Sequence, residues 1–349
     1  MKMTPVFACL CLLLTEAWAD RTPWTHQNFQ NDPDEFHFAI IPDRTGYAKN
    51  GRGAFTNALA KINLLRPEFV MCVGDLIQSS WVPAPRIRQQ QDELTNLLAK
   101  VKAPFYVTVG NHDITSTAPT RPNGNEISTA VWKEYFGDST YYSFVYKNVL
   151  FVVLNTMEGH FGPPEKQVGI TPAQYAWFKQ TLDQHPVVRW TYIFMHAPSV
   201  WDTRPWIDFE NKELLNRRYT VFAGDRHQCI HARRNGHDYY QLGVVDGVSE
   251  WNWTRNHYTR TRTYDENQLL GPEYGEMDHI TWVTMTHAGP VVAHLQLSGI
   301  FPGEYLNQIN TKSPSLTSVL DVPSTPQVLK RVEENRKLKE ELIKSAERR

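Results

Sequence analysis

Five short segments of the sequence place carboxylate, amide or imidazole side chains at the ends of apolar runs, where they could bind metal ions. They occupy residues 42–46, 74–78, 110–113, 194–196 and 224–227. Four of them follow a run of β-branched and aromatic residues typical of a buried strand, and the segment that ends at His196 closes such a run. Oxygen and nitrogen ligands delivered from several parallel strand ends are what a pair of divalent metal ions needs.

The elements that must position these ligands can be placed from hydrophobic patterning. Strands are predicted over 36–43, 68–73 and 105–109, with helices over 54–65 and 86–101 between them. This alternation predicts right-handed βαβ units. In such units ligands gather at the carboxyl ends of the strands, which is where the first three segments fall.

From residue 141 onward the pattern changes to hairpins and further buried strands. The predicted elements are a hairpin over 141–155, a helix over 172–185, strands over 191–195 and 219–223, and hairpins over 230–242 and 280–297. Asn235-Gly236 is the clearest hairpin turn among them. Together these elements predict an α/β fold in which two sheets pack face to face with helices outside.

The bulk composition is that of an ordinary globular protein. Of the 349 residues, 41% are hydrophobic and 21% charged, and the formal net charge is −1. This balance gives no electrostatic reason to expect nucleic acid or an anionic membrane as a partner, so attraction for phosphate must come from a local site.

Cys72 and Cys229 either pair with each other or remain buried thiols.

The N-terminal segment has the pattern of an export signal. Lys2 precedes an apolar run over 6–14, and Ala17-Trp18-Ala19 is a cleavage signal, so a signal peptide is predicted over 1–19. The protein is therefore expected to be secreted or periplasmic, without an integral membrane segment after cleavage. A membrane-anchored N-terminus is the alternative.

The rest of the sequence is predicted to form one domain over 20–300, a linker over 301–326 and a charged C-terminal helix over 327–349. The helix is expected to be solvated, with a partner-binding role as the alternative. The aromatic-rich stretch 251–258 either rims the active site or packs at the edge of the second sheet.

In order and spacing the five segments resemble the calcineurin-like metallophosphoesterase superfamily, which includes the purple acid phosphatases. The resemblance is carried by Gly74-Asp75, by Gly110-Asn111-His112-Asp113 and by the histidines that follow later strands, and it extends over about residues 36–297. It implies a four-layer α/β/β/α sandwich of two mixed sheets flanked by helices. It also implies two divalent metal ions, taken from Mn, Zn, Fe, Mg or Ca.

The resemblance implies a ligand set for these ions. The implied metal ligands are Asp43, Asp75, Asn111, His196, Asp225 and His227. Asp75 would bridge both ions, Asp43 and His227 would complete the first site, and the remaining three would belong to the second. The neighbouring glycines allow tight turns that bring backbone close to the ions.

Catalytic and substrate-binding roles follow from the same resemblance. His112 would protonate the leaving alcohol and, with Asn111, steady the phosphate, and Asp113 would orient His112 through a hydrogen bond. Arg44 and Arg226 each adjoin a predicted ligand. Each guanidinium either takes two phosphate oxygens or turns outward as surface charge or as the partner of a ligand carboxylate.

Three positions depart from the pattern. Thr45 replaces the histidine of Asp-x-His, Gln78 stands where purple acid phosphatases have a tyrosine, and Asp225 replaces a histidine. The first ion then keeps only three protein ligands among the matched residues. A carboxylate at position 225 shifts preference from zinc towards harder ions, unless it pairs with a neighbouring arginine instead.

The function implied is an exported metal-dependent phosphoesterase that hydrolyses phosphate mono- or diesters. A metal-activated hydroxide would attack phosphorus, with His112 as general acid. The three departures motivate an alternative, a catalytically weakened binding protein on the same scaffold. A carbohydrate-binding module led by the aromatic stretch is a third interpretation, which leaves Asn111-His112-Asp113 without a role.

Overall fold

Two six-stranded mixed sheets, each covered by helices on its outer face, form the fold in the computed structural model. The structure describes residues 32–45, 53–79, 82–114, 124–158, 169–227, 229–246, 278–297, 301–302 and 337. Both sheets belong to the unit of the chain that begins at Asp34.

The first sheet combines the N-terminal βαβ units with the last strands of the described chain. Its strands are β1 (Phe36–Ile41), β2 (Phe69–Cys72), β3 (Phe105–Tyr106), and, later in the chain, β10 (His279–Met285), β11 (Pro290–Gln296) and β12 (Phe301–Pro302). Their spatial order is β12-β11-β10-β1-β2-β3. Strands β1, β2 and β3 run parallel, whereas β10 pairs antiparallel with β1, with Phe38 opposite Val283.

The second sheet is built from the middle of the chain. Its strands are β4 (Tyr142–Tyr146), β5 (Val149–Val153), β6 (Trp190–Phe194), β7 (Tyr219–Ala223), β8 (Ile230–Arg234) and β9 (His237–Gln241). Their order is β4-β5-β6-β7-β9-β8, with the four central strands parallel and both edge strands antiparallel. The turn at Lys147 and Asn148, both with positive φ (43° and 57°), is the backbone twist that a two-residue hairpin favours.

Most helices lie on the outer faces of the sheets, and the short third helix lies at the ends of the strands. They are α1 (Ala54–Leu65), α2 (Ala84–Leu98), α3 (Asn111–Ile114), α4 (Gly124–Phe136), α5 (Pro172–Gln184) and α6 (Arg204–Phe209), with a 3₁₀ turn over Pro198–Asp202 and a π-helical turn over Glu210–Leu214. Thr171 caps α5 by accepting a hydrogen bond from the Gln174 N–H. The helix over 86–101 predicted from the sequence begins two residues earlier in the structure, because Pro85 suits the first turn of a helix.

Alternation along each strand sends side chains into two different cores. Between the sheets, Phe38 and Phe69 of the first sheet pack edge-on against Phe151 of the second, with ring centroids 5.4 and 5.1 Å apart. The intervening residues, such as Ile41, face α1 and α2. The four-layer α/β/β/α sandwich expected from the sequence is therefore confirmed.

Two elements differ from the sequence predictions. Helix α4 was not predicted, although its Val131 and Trp132 pack into the core outside the first sheet. Strand β3 is shorter than the predicted 105–109, because Thr108 does not pair with β2 through backbone groups alone. Its backbone N–H donates to Cys72 Sγ, and its side-chain hydroxyl donates to the Cys72 carbonyl.

Several sequence predictions lie outside the described residues. These are the signal peptide over 1–19, the aromatic-rich stretch 251–258, the linker over 301–326 apart from its first two residues, and the C-terminal helix over 327–349, of which only Lys337 is described. Cys72 and Cys229 are buried free thiols. Within the described part of the chain, none of the helices has the length and apolar character needed to cross a membrane.

Candidate metal centre

The predicted ligands lie at the carboxyl ends of parallel strands from both sheets. Asp43 follows β1, Asp75 follows β2, and His196 follows β6. The end of β1 is tied to the chain after β9 by a hydrogen bond of 2.7 Å from the Val245 N–H to the Asp43 carbonyl. The face-to-face packing of the sheets thus brings segments from distant parts of the sequence to one place.

Asp43, Asp75 and His196 form the buried centre of the site. One ligand atom from each lies within 4.8 Å of the other two, and the three residues are 0%, 1% and 0% exposed. Two carboxylates that share a dry environment repel each other, so this cluster needs compensating positive charge. His196 Nε2 provides part of it at 3.3 Å from Asp75 Oδ2.

His196 presents one ring nitrogen to a set of oxygens. Its Nδ1 lies 2.7 Å from the carbonyl oxygen of Val73, which only accepts, so Nδ1 carries a proton and donates. Its Nε2 lies 2.9 Å from Asn111 Oδ1 and 3.7 Å from Asp225 Oδ1. Oxygens facing a ring nitrogen in this way require a cation between them, either a proton or a metal ion.

The electrostatics of the buried centre agree with that requirement. Burial by itself would lower the pKa of His196, but the charges of Asp75, Asp225 and Asp43 outweigh burial and raise the pKa well above its ordinary value. Burial would raise the pKa of Asp75, yet His196 and His112 lower it below its ordinary value. The ligand set therefore favours a bound positive charge.

A second half of the site surrounds Asp43. Its Oδ1 accepts hydrogen bonds from both the N–H and the hydroxyl of Thr45, at 2.8 and 2.9 Å. Its Oδ2 is buried and has no hydrogen-bond partner among the described residues, and it lies 3.3 Å from His227 Nε2. An orphaned buried carboxylate oxygen beside an imidazole fits a divalent metal ion.

The backbone at the site is held in unusual conformations. Asp75, Asp225 and His227 have positive φ angles of 61°, 67° and 57°, which residues other than glycine rarely adopt. Gly110 is required by a close approach, because a Cβ there would lie 2.0 Å from Asp75 Oδ1. These features bring the ligand side chains together at the expense of local strain.

Residues 26–240 match the family model described as calcineurin-like phosphoesterase. The chain belongs to the calcineurin-like phosphoesterase family. No curated protein matches the sequence significantly.

Solved structures are similar to this chain at low sequence identity. GAP50, described as the anchor in the inner membrane complex of Plasmodium, is 12% identical with a TM-score of 0.52, over 83% of this chain and 98% of that one. A dimetal phosphatase from Danio rerio is 14% identical, with a TM-score of 0.49, over 76% and 98%. Vps29 from Entamoeba histolytica, complexed with zinc, is 11% identical, with a TM-score of 0.35, over 76% and 96%.

His112 lies beside the predicted metal ligands. Its side chain is 32% exposed, and its Nε2 lies 4.0 Å from Asp75 Oδ2. The contact expected from Asp113 to the His112 ring is made by Gln78 instead, whose amide nitrogen contacts His112 Nδ1. The sequence pointed to Gln78 only as a departure from the family pattern and not as a partner of His112.

Asp113 binds backbone rather than the histidine ring. Its Oδ2 accepts from the N–H groups of Asp75 and Gly110, and its Oδ1 accepts from those of Leu76 and Ile77, at distances of 2.7 to 3.2 Å. Burial and the charge of Asp75 raise the pKa of Asp113 to about 7, against the effect of these donors. Asp113 therefore holds the loop that carries Asp75.

The two arginines have different surroundings. The Arg44 guanidinium lies 4.4 Å from the ring centroid of Phe55 and donates to the Leu76 carbonyl, so it braces α1 against the loop after β2. Arg226 is 43% exposed, and its Nε lies 3.5 Å from Asp225 Oδ2. Of the two predicted phosphate-binding arginines, Arg226 therefore lies next to the carboxylate of Asp225, a predicted metal ligand.

Proposed function

We propose that this calcineurin-like protein hydrolyses phosphate mono- or diesters in a metal-dependent reaction. The observation that carries the proposal is the convergence of Asp43, Asp75 and His196 within 4.8 Å, beside the partly exposed ring of His112. Family membership supports the reaction class. The shared fold adds nothing about activity, because one scaffold can host different functions.

The residues divide between two ion sites. The proposed ligands are Asp43, Asp75 and His227 for the first ion, and Asp75, Asn111, His196 and Asp225 for the second. When bound, two ions would acidify a water molecule and neutralise charge on the phosphoryl oxygens. The carboxylates supply hard oxygen ligands, and Asp43 Oδ2, which has no hydrogen-bond partner in the described part of the chain, is available to bind an ion.

His112 is proposed as the general acid. Its ring borders the ligands on one side and reaches solvent on the other, so a leaving alcohol can accept a proton from Nε2 and then depart. The Gln78 amide holds the opposite ring nitrogen. Arg226 is proposed to bind phosphoryl oxygens, while Arg44 serves as a brace.

Export is part of the proposal. It is supported by the sequence pattern of the predicted signal peptide over 1–19. Release of the chain into the medium or periplasm, with an N-terminus at Asp20, would be the expected result of expression with the native leader.

Metal content and turnover test the reaction. The protein is purified without chelator, its metal content is measured, and hydrolysis of p-nitrophenyl phosphate and bis(p-nitrophenyl) phosphate is followed with added Mn²⁺, Zn²⁺, Mg²⁺, Fe²⁺ or Ca²⁺. About two ions per chain and chelator-sensitive turnover are expected. Folded protein with no turnover of either ester in any metal would overturn the proposal.

A matched pair of variants links the activity to the centre. Asp75→Asn should lose bound metal and turnover, because it removes the shared carboxylate charge. Asp183→Asn changes an exposed aspartate that pairs with Lys179, and should leave both unchanged. Equal metal content in the two variants would show that the ions bind elsewhere.

A phosphate-binding protein without turnover is the second candidate. The observation that favours it is the 3.5 Å contact between Arg226 Nε and Asp225 Oδ2. This contact pairs a proposed metal ligand with an arginine instead of a metal ion. Saturable binding of inorganic phosphate, together with no hydrolysis of either ester in any metal, would favour this candidate over the phosphoesterase.

A further inference from the structure

Thr45 lies among the proposed ligands of the first ion. It is 1% exposed. Its Oγ1 lies 2.9 Å from Asp43 Oδ1, 3.4 Å from Asp75 Oδ2 and 3.5 Å from His227 Nε2. All three residues proposed to bind the first ion therefore contact this one hydroxyl group.

We propose that the Thr45 hydroxyl oxygen is itself a ligand of the first ion, in place of the imidazole that Asp-x-His would provide. The inference rests on the proposed metal centre. Two neighbouring ligand atoms that bind the same ion at about 2.1 Å lie about 3.0 Å apart in octahedral geometry and about 3.4 Å apart in tetrahedral geometry. The distances from Thr45 Oγ1 to Asp75 and His227 match or nearly match that range.

The hydroxyl can serve the ion and Asp43 together. A threonine hydroxyl has one proton and two lone pairs. Its proton is directed to Asp43 Oδ1, which the Thr45 N–H also binds, so that oxygen is held in place. A lone pair of Oγ1 then remains for an ion, as does Asp43 Oδ2, which has no hydrogen-bond partner among the described residues.

This ligand set has a preference among metals. Thr45, Asp43 and Asp75 contribute hard oxygen atoms, with His227 as the one nitrogen donor. Oxygen ligands suit Mg²⁺, Mn²⁺ or Ca²⁺, whereas imidazole ligands suit Zn²⁺. The first ion is therefore assigned to the class of hard divalent cations.

The variant Thr45→Cys tests direct ligation. If position 45 binds the ion, Co²⁺ added to this variant will show a thiolate-to-cobalt charge-transfer absorption that the wild type lacks. The buried thiols of Cys72 and Cys229 are present in both proteins and serve as the internal control. A variant that binds as much Co²⁺ as the wild type without this absorption would overturn the inference, because Thr45 would then only orient Asp43.

Affinity measurements on two further variants separate this inference from the metal centre itself. By calorimetry with Mn²⁺, Thr45→Ser should bind nearly as tightly as wild type, and Thr45→Val should bind about tenfold or more weakly. Equal affinity of Thr45→Val and wild type would overturn the ligand role alone. A folded wild-type protein that binds neither Mn²⁺ nor Co²⁺ would overturn both the centre and this inference.

Discussion

Gln78 places its side-chain amide nitrogen against Nδ1 of the His112 ring. In the neutral ring this contact makes Nδ1 the acceptor and leaves the proton on Nε2, nearest Asp75. In the protonated ring that acts as the acid, Nδ1 also carries a proton, and the Gln78 amide presents its oxygen to it instead. The Gln90 side chain fixes the backbone of Gln78 in turn. Its Oε1 accepts from the Gln78 backbone N–H at 3.0 Å, and its amide nitrogen donates to the Gln78 backbone carbonyl at 2.9 Å. A chain of two glutamines thus orients the proposed general acid.

Removing the amide should impair turnover without removing metal. We expect Gln78→Leu to lower kcat by roughly 10–100-fold with little change in KM, since the ring loses its orienting contact. Metal content measured on the same sample should equal that of wild type. Gln89→Leu, on the exposed face of α2, is the control and should be neutral. Unchanged kcat in Gln78→Leu would show that the contact has no catalytic role.

Removing the imidazole should have a larger effect. We expect His112→Ala to lower kcat by about 10²–10⁴-fold while metal content is kept, because a proton donor is lost and a ligand is not. His37→Ala, an exposed histidine on β1, is the matched control. Loss of metal together with activity would instead identify His112 as a ligand.

The carboxylate at position 225 should set the preference for the second ion. We expect Asp225→His to shift relative affinity from Mn²⁺ towards Zn²⁺, because an imidazole is a softer ligand than a carboxylate. Histidine tolerates the positive φ of 67° better than most residues, so the variant is expected to fold. Competition between the two ions, followed by metal analysis, measures the shift. An unchanged Mn²⁺/Zn²⁺ ratio would place Asp225 outside the ligand set.

The glycine next to the shared aspartate should be intolerant of substitution. In Gly110→Ala the new methyl group would lie 2.0 Å from Asp75 Oδ1, so the carboxylate or the loop must move. We expect lost metal binding and a lower thermal midpoint. Gly169→Ala is the control, since nothing lies within 4 Å of a Cβ there. Equal metal binding by the two variants would contradict the packing described for Asp75.

The two buried thiols should resist modification. Burial raises the pKa of Cys72 and of Cys229 to about 12 from the ordinary value of 9.0. A thiol reagent at pH 8, with mass spectrometry to locate the label, should modify neither until the protein unfolds. Rapid labelling of either residue in the folded protein would contradict its burial.

The same shift has a consequence for stability. The unfolded chain ionises its thiols above a pH of about 9, whereas the folded protein keeps them protonated up to a pH of about 12. The unfolded state therefore gains stability first, and the free energy of unfolding should fall as pH rises through this window. Denaturant titrations of wild type and Cys229→Ala at pH 8 and 10 measure this fall. The free energy of unfolding should decrease less in the variant than in the wild type between pH 8 and pH 10.

Sequence patterning was sufficient for most elements of the fold. The apolar runs of β2 and β7 predict buried strands, and Asn235-Gly236 predicts its hairpin, because these signals depend on neighbouring residues alone. Helix α4 was not predicted, although Ile127, Val131 and Tyr135 recur every four residues, which is the spacing of one helix face.

The candidate ligands were also accessible to sequence reasoning, because their residue types and their places after strands are local properties. Their partners were not. Gln78 rather than Asp113 contacts His112, and the Thr45 hydroxyl meets Asp75 and His227. These contacts depend on how loops from two packed sheets approach one another to within a few ångströms, and no periodicity along the chain encodes such distances.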